Sequence, residues 1–210
     1  MTYDAENKVL SSENNLFANA ADDKIYYLTY ITDIEINHDA PQALVIDELP
    51  YNNALTTSDA FNEFKVIDGN GDGKTWTFDG TNHVAAYSYS SINAADDWLV
   101  SPAIKLEAGK AYRVAFDAAN NGYPERFEVK LGKEISAAAL TQPVIASTDV
   151  TSASYTTFEN ATVSVSESGY YHVGIHAISD ADQFKLLVKN FVVEAGLEAA
   201  APDSVTAFSV

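Results

Sequence analysis

The chain is dominated by short runs in which apolar and polar residues alternate, broken by Gly, Asn, Asp and Ser. Alternation of period two marks strands with one buried face. Lys110 to Asp117 sets Tyr112, Val114 and Phe116 against Arg113 and Asp117. Arg126 to Leu131 sets Phe127, Val129 and Leu131 against Glu128 and Lys130. Tyr170 to Ala177 places Tyr171, Val173, Ile175 and Ala177 opposite Tyr170, His172, Gly174 and His176, and Gln183 to Val193 places Phe184, Leu186, Val188 and Val192 on one side. Further strands are expected at Thr75–Phe78, Val84–Ser88, Trp98–Leu106 and Tyr155–Val165, with turns such as Asn120-Asn121-Gly122 and Glu167-Ser168-Gly169 between them. Helical signal is confined to a turn or two at Ser58–Phe64 and Ser136–Leu140. Many strands with no crossover helices exclude a parallel α/β sheet and predict an all-β, antiparallel two-sheet sandwich.

At 210 residues the chain has room for one full domain with an attached piece, or for two small domains. Hydrophobic residues make up 47% and charged residues only 20%, enough apolar matter for a sizeable core and too little charge for a disordered chain. The formal charge of −18 argues against nucleic acid, which needs a basic footprint, and against anionic membrane surfaces. No apolar stretch approaches the ~18 residues of a membrane span, and the first thirty residues lack the basic and apolar regions of an export signal. Any such signal is expected outside this chain, if there is one. The absence of cysteine removes disulfides, thiol catalysis and thiolate zinc sites.

The ends differ from the middle. Residues 1–45 contain a β-rich run at Asp23–Ile36 and read as the end of a preceding domain or as extra strands. The main domain is expected over residues 46–195. Residues 196–210 read as an Ala-rich linker and then a first strand around Val205–Ser209, suggesting excision from a longer multidomain protein.

The sharpest chemical motif is Asp68-Gly69-Asn70-Gly71-Asp72-Gly73. Alternate oxygen-bearing side chains converge when the intervening glycines curl the chain. A hard cation such as Ca²⁺ takes six to eight oxygens at about 2.3–2.6 Å. Asp68, Asn70 and Asp72 supply three, and the backbone carbonyl of Lys74 is the natural fourth. Asp79 falls where an EF-hand places its twelfth-position carboxylate, but Thr75-Trp76-Thr77-Phe78 alternates like a strand where an EF-hand needs a helix. The expectation is a helixless calcium loop running into a strand; the same residues also make an ordinary Asx-type turn without metal.

Other constellations are weaker. His172 and His176 lie on one strand face roughly 13 Å apart, too far to share an ion. No G-x-S-x-G, H-E-x-x-H or P-loop pattern occurs. The many carboxylates leave room for a glycosidase-like pair, but a solvated acidic surface explains them as well. Trp76 and Trp98 read as core anchors. Tyr123, in the turn Asn120-Asn121-Gly122-Tyr123-Pro124, is the best single candidate for an exposed contact residue.

Four segments, in order, carry a resemblance. They are Phe64–Trp76 with its Asp68–Gly73 loop; Asp97-Trp98-Leu99-Val100-Ser101-Pro102-Ala103-Ile104-Lys105-Leu106; Tyr112–Phe116 continuing through Glu125–Val129; and Gly169–Ala177. Together they resemble the cleaved-adhesin, or choice-of-anchor J, domains, which are MAM-like jelly rolls of Bacteroidetes surface and secreted proteins, including the adhesin regions of gingipains. The resemblance covers about residues 46 to 195. It implies a jelly-roll sandwich of the MAM and galactose-binding kind. It also implies calcium-loop positions for Asp68, Asn70 and Asp72, structural roles for Trp98 and Pro102, and no catalysis. Asn70 departs from the Asp often found at its position. The tail at Pro202–Thr206 is similar to the opening of a fibronectin type III-like domain. The function so implied is extracellular or cell-surface adhesion to a host protein or glycan, with neighbouring domains of the same chain as further partners. The alternatives are a carbohydrate-binding module of a glycan-degrading system or a structural spacer.

Overall fold

The alternating runs pair into two facing sheets. The structure, a computed structural model, describes residues 43–197 and the short strands at Thr2–Asp4 and Val9–Ser11. Two compact units divide the chain, Met1–Gln42 and Ala43–Val210. In the first, β1 (Thr2–Asp4) and β2 (Val9–Ser11) pair antiparallel in the register Tyr3↔Leu10. The expected run at Asp23–Ile36 and the tail strand at Val205–Ser209 lie outside the described residues.

The second unit contains β3 (Val45–Ile46), β4 (Tyr51–Asn53), α1 (Ser58–Asn62), β5 (Lys65–Asp68), β6 (Trp76–Asp79), β7 (Val84–Ser88), β8 (Asp97–Val100), β9 (Ala103–Leu106), β10 (Tyr112–Asn120), β11 (Glu125–Gly132), β12 (Gln142–Val150), β13 (Thr156–Val163), β14 (Gly169–Ala177) and β15 (Lys185–Ala195). One sheet runs β13-β10-β15-β7-β6 with β4 beside β15; the other runs β12-β11-β14-β8-β5, with β9 beside β14 and β3 beside β9. Every pairing is antiparallel except β3 with β9. The architecture is the expected all-β jelly-roll sandwich. Among the described residues no helix is long and apolar enough to cross a membrane.

The core lies between the sheets. Phe116 of β10 meets Phe127 of β11 edge-on at 5.1 Å, and Phe158 of β13 closes the group at 5.0 Å from Phe127. Both Phe116 and Phe127 are fully buried, and a residue of that size left as Ala costs about 3–5 kcal/mol. The faces read from alternation in Lys110–Asp117, Arg126–Leu131 and Tyr170–Ala177 are the buried ones.

Three local expectations need correction. On β15 the inward residues after Val188 are Phe191 and Val193, not Val192. Asp117 pairs Lys189 and Ala115 pairs Val192, so β15 carries one extra residue, and Asn190 there has φ 54. A bulge of that kind shifts the alternation by one. The run Trp98–Leu106 is two strands, because Pro102 cannot donate to a ladder and Ser101 folds its hydroxyl onto Pro102 O at 2.9 Å. Ser136–Leu140 forms turns rather than a helix, and lays Leu140 over Trp98 and Val100 on the outer face of the second sheet.

Candidate functional site

The antiparallel order sends the loops after β5, β7, β10, β12 and β14 to one end of the sandwich, and hydrogen bonds join them there. The Asn70 side-chain amide donates to Ala94 O at 2.9 Å and the Gly69 amide to Asp96 O at 2.8 Å. The Ala95 amide donates to Ser179 O and the Asp182 amide to Ser90 O, both at 2.9 Å. The Asn120 amide reaches Ser152 O at 2.9 Å, and the Asn121 amide reaches Lys185 O at 3.1 Å.

The 68–74 loop curls around its own acidic side chains. Asp68 Oδ1 accepts from the amides of Gly71 at 2.7 Å and Asp72 at 3.2 Å, and Oδ2 accepts from Gly73 at 2.9 Å. Asn70 Oδ1 accepts from the Asp72 amide at 3.0 Å. The Lys74 amide donates to Asp72 Oδ1 at 2.8 Å, and Asn93 donates to Asp72 Oδ2 at 3.0 Å. Those two donors, Lys74 first, hold the Asp72 carboxyl below its usual range. Gly71 and Gly73 take φ 71 and 76, the left-handed backbone that the curl requires. The loop enters strand β6 directly, with no helix after it. Asp79 stands apart: it accepts from Thr81, Asn82 and Lys185 at the β6–β7 turn.

The motif alone missed Asp97. This residue is wholly buried at the start of β8, where it is the cross-strand partner of Asp68. Cross-strand partners project to the same sheet face. Its Oδ2 accepts from the Asp96 amide at 3.2 Å, but Oδ1 has no hydrogen-bond partner among the described residues, nor do the buried hydroxyls of Thr75 and Tyr87. Burial pushes the Asp97 carboxyl up to about 6, and the charges of Asp68 and Asp72 add to the rise against the pull of the Asp96 amide. Tyr87 is likewise pushed up, by burial first and then by Asp97, Asp72, Glu125 and Asp68. An all-oxygen donor set with an orphaned buried carboxylate oxygen suits a hard cation better than a soft one. Among the described residues no three His, Cys, Asp or Glu side chains form a ready-made metal cluster, so a cation here also needs Asn70 and main-chain oxygens.

The structure shares its fold with solved adhesin and carbohydrate-binding domains. The K1 cleaved adhesin domain of Lys-gingipain from Porphyromonas gingivalis W83 superposes with a TM-score of 0.55 at 13% identity, covering 71% of this chain and 100% of that one. The K2 cleaved adhesin domain of Lys-gingipain gives 0.51 at 18% identity over 69% of this chain and 99% of that one. The carbohydrate-binding module CBM1 of BiXyn10A gives 0.50 at 12% identity over 70% and 97%. The likeness is one of fold. No family model matches the sequence, and no curated protein matches it.

His172, His176 and the two tryptophans have structural places. His172 Nδ1 lies 2.8 Å from Ser101 O. His176 stacks on Trp98 between Glu128 and Asp96. Trp76, in the inter-sheet core, donates its indole N–H to Asp97 O at 3.0 Å, tying β6 to β8 across the sheets. Trp98 is buried too, but on the outer face with Val100 and Leu140. Tyr123 is exposed at the loop end.

Proposed function

We propose that this chain is a non-catalytic binding module of a larger extracellular or cell-surface protein, engaging a host protein or glycan through its loop end. One structural Ca²⁺ braces the 68–74 loop, held by Asp68, Asn70, Asp72 and the Lys74 carbonyl, with Asp97 completing the set. The cation supplies charge cancellation and a cross-link; it has no part in any reaction. The observation that carries this reading is the unpartnered Oδ1 of buried Asp97, strand partner to Asp68. The shared fold with adhesin and carbohydrate-binding domains supports the binding role.

Rigid sheets with loops gathered at one end suit recognition, because the loops vary while the scaffold holds them. The test is calorimetry with Ca²⁺ on chelator-treated protein, beside a screen of host extracellular proteins and glycans. Heat of binding that disappears in the double variant Asp68→Ala, Asp72→Ala is expected, together with at least one captured partner. A melting temperature indifferent to Ca²⁺, chelator and both substitutions removes the cation; an empty screen removes the binding role.

A further inference from the structure

Tyr89, Phe184 and Tyr123 form one aromatic ridge on the loop end. Phe184 stacks on Tyr89 with ring centroids 5.6 Å apart and 27° between planes, and Tyr123 follows at 6.4 Å from Phe184. Tyr123 is 57% exposed and Phe184 38%, in a chain whose Trp76, Tyr87, Phe116, Phe127 and Phe191 are buried. Contiguous exposed aromatic area of this kind is what marks an interaction surface.

The ridge is fixed from behind. The Tyr89 amide donates to Phe184 O at 3.1 Å, and the Phe184 amide donates to the buried Glu125 carboxylate at 2.8 Å. Asn120 pins the turn carrying Tyr123: its side-chain amide donates to Val150 O at 2.9 Å and its Oδ1 accepts from Gly122 at 3.1 Å. Rings already held in place lose little freedom when a ligand lands on them.

Beside the ridge lies a cleft of about 310 Å³, bordered by Pro124, Arg126, Asp149, Ser179, Asp180 and Gln183. Pro124 and Gln183 are the chain neighbours of Tyr123 and Phe184, so the cleft opens beside the loops that carry the ridge. The volume sits at the low end of the roughly 300–1,000 Å³ of small-ligand pockets. Glu125 is committed to the fold through Ser179 and Phe184, and the Arg126 guanidinium is paired with Asp149 at 2.7 Å. Exposed Asp149 and Asp180, with half-buried Gln183, present oxygens and an amide to a ligand.

A tilted run of exposed rings beside a polar cleft offers apolar contact and hydrogen-bonding groups together, which fits a ligand with an apolar C–H face and a rim of hydroxyls, such as a sugar ring. Charge narrows the choice. The cleft's arginine is already neutralised by a carboxylate and the chain carries −18, so uronate, sulfated and phosphorylated sugars are repelled. We propose that the Tyr89–Phe184–Tyr123 ridge and its cleft bind a neutral glycan. The inference rests on the binding-module reading above and names its ligand class and contact residues.

The test is affinity electrophoresis of the full chain through gels containing a xylan, a β-glucan or a mannan, with polygalacturonate as the anionic comparator, followed by calorimetry on any polymer that retards it. At least one neutral polymer should retard the protein and polygalacturonate should not. Tyr123→Ala and Phe184→Ala should each weaken binding roughly tenfold or more. Tyr170→Ala, which removes a 44% exposed ring at the start of β14, should leave it unchanged. No retardation by any neutral polymer, retardation that survives Tyr123→Ala and Phe184→Ala, or preference for polygalacturonate overturns the proposal. If that failure coincides with an intact Ca²⁺ signal and a captured host protein, only the glycan assignment falls and the binding module stands.

Discussion

The rings of Trp98 and His176 lie face to face, with centroids 3.8 Å apart and planes within 8° of parallel. The two residues are cross-strand partners on β8 and β14, on the outer face of their sheet. His176 Nδ1 lies 2.9 Å from Glu128 and Nε2 lies 2.7 Å from Asp96. The carbonyl of that same Asp96 accepts the Gly69 amide, so the stacked pair also backs the 68–74 loop.

Trp98 fits because residue 174 has no side chain. A Cβ on Gly174 would stand 2.8 Å from Trp98 Cε3 and 2.8 Å from Leu140 Cδ1. Gly174→Ala should therefore destabilise the domain by about 1–3 kcal/mol, read as a lower urea midpoint with unchanged slope. A midpoint equal to that of the parent protein would show that the indole is free to move aside.

Glu128 gives this network a pH signature. Burial raises its carboxyl, but Lys130 at 2.6 Å and His176 outweigh that and hold it below its usual value. A depressed folded-state value means that the stabilisation is fully present above the unfolded carboxyl's pKa of about 4.3 and is lost as pH falls through the folded value. Glu128→Gln should lower stability at neutral pH and flatten the acid limb of the stability curve below about pH 4. An acid limb of undiminished steepness in the variant would assign that loss to other carboxylates.

Gly69 is the point where the two halves of the candidate cation site touch. Its amide bonds to Asp96 O, and a Cβ there would fall 2.2 Å from that oxygen, with the Asp96 carboxyl at 3.0 Å. Backbone cannot yield as a flexible side chain does. Gly69→Ala should cost about 1–3 kcal/mol and weaken any Ca²⁺ response, whereas Gly80→Ala, which meets only Phe78 Cε1 at 3.8 Å, should do neither. Equal melting curves for the two variants would mean that the 68–74 and 93–97 loops separate freely.

The sandwich was legible because its strands bury one face each, and burial of one face writes itself into sequence as alternation. It failed at Val192, where the extra residue at Asn190 shifts the phase, and at Ser101-Pro102, where a break in the ladder interrupts a continuous apolar pattern. The Asp68–Asp72 curl was readable because its donors are local in sequence. Asp97 was not, since its link to that curl is a cross-strand pairing that exists only after β5 and β8 align. The same holds for the aromatic ridge: Tyr123 stood out in its turn, but Tyr89 and Phe184 join it only through the packing of separate loops.

Asp97 separates the cation reading from a plain turn by the sign of one substitution. Burial pushes its carboxyl up to about 6, against about 3.9 in an unfolded chain. Between those values the folded state holds the extra proton, so the metal-free fold loses stability as pH rises across that window. Asp97→Asn keeps the shape without the charge. In chelator above about pH 6 the variant should be the more stable protein, by on the order of 2 kcal/mol, with the difference vanishing below about pH 4. In saturating Ca²⁺ the order should reverse, because a ligand at a hundredfold excess over its Kd adds about 2.7 kcal/mol to the protein that binds it and nothing to one that does not. Denaturant midpoints of both proteins, with and without Ca²⁺, should therefore cross. A variant less stable than the parent in chelator, or one that gains as much from Ca²⁺, removes Asp97 from the site.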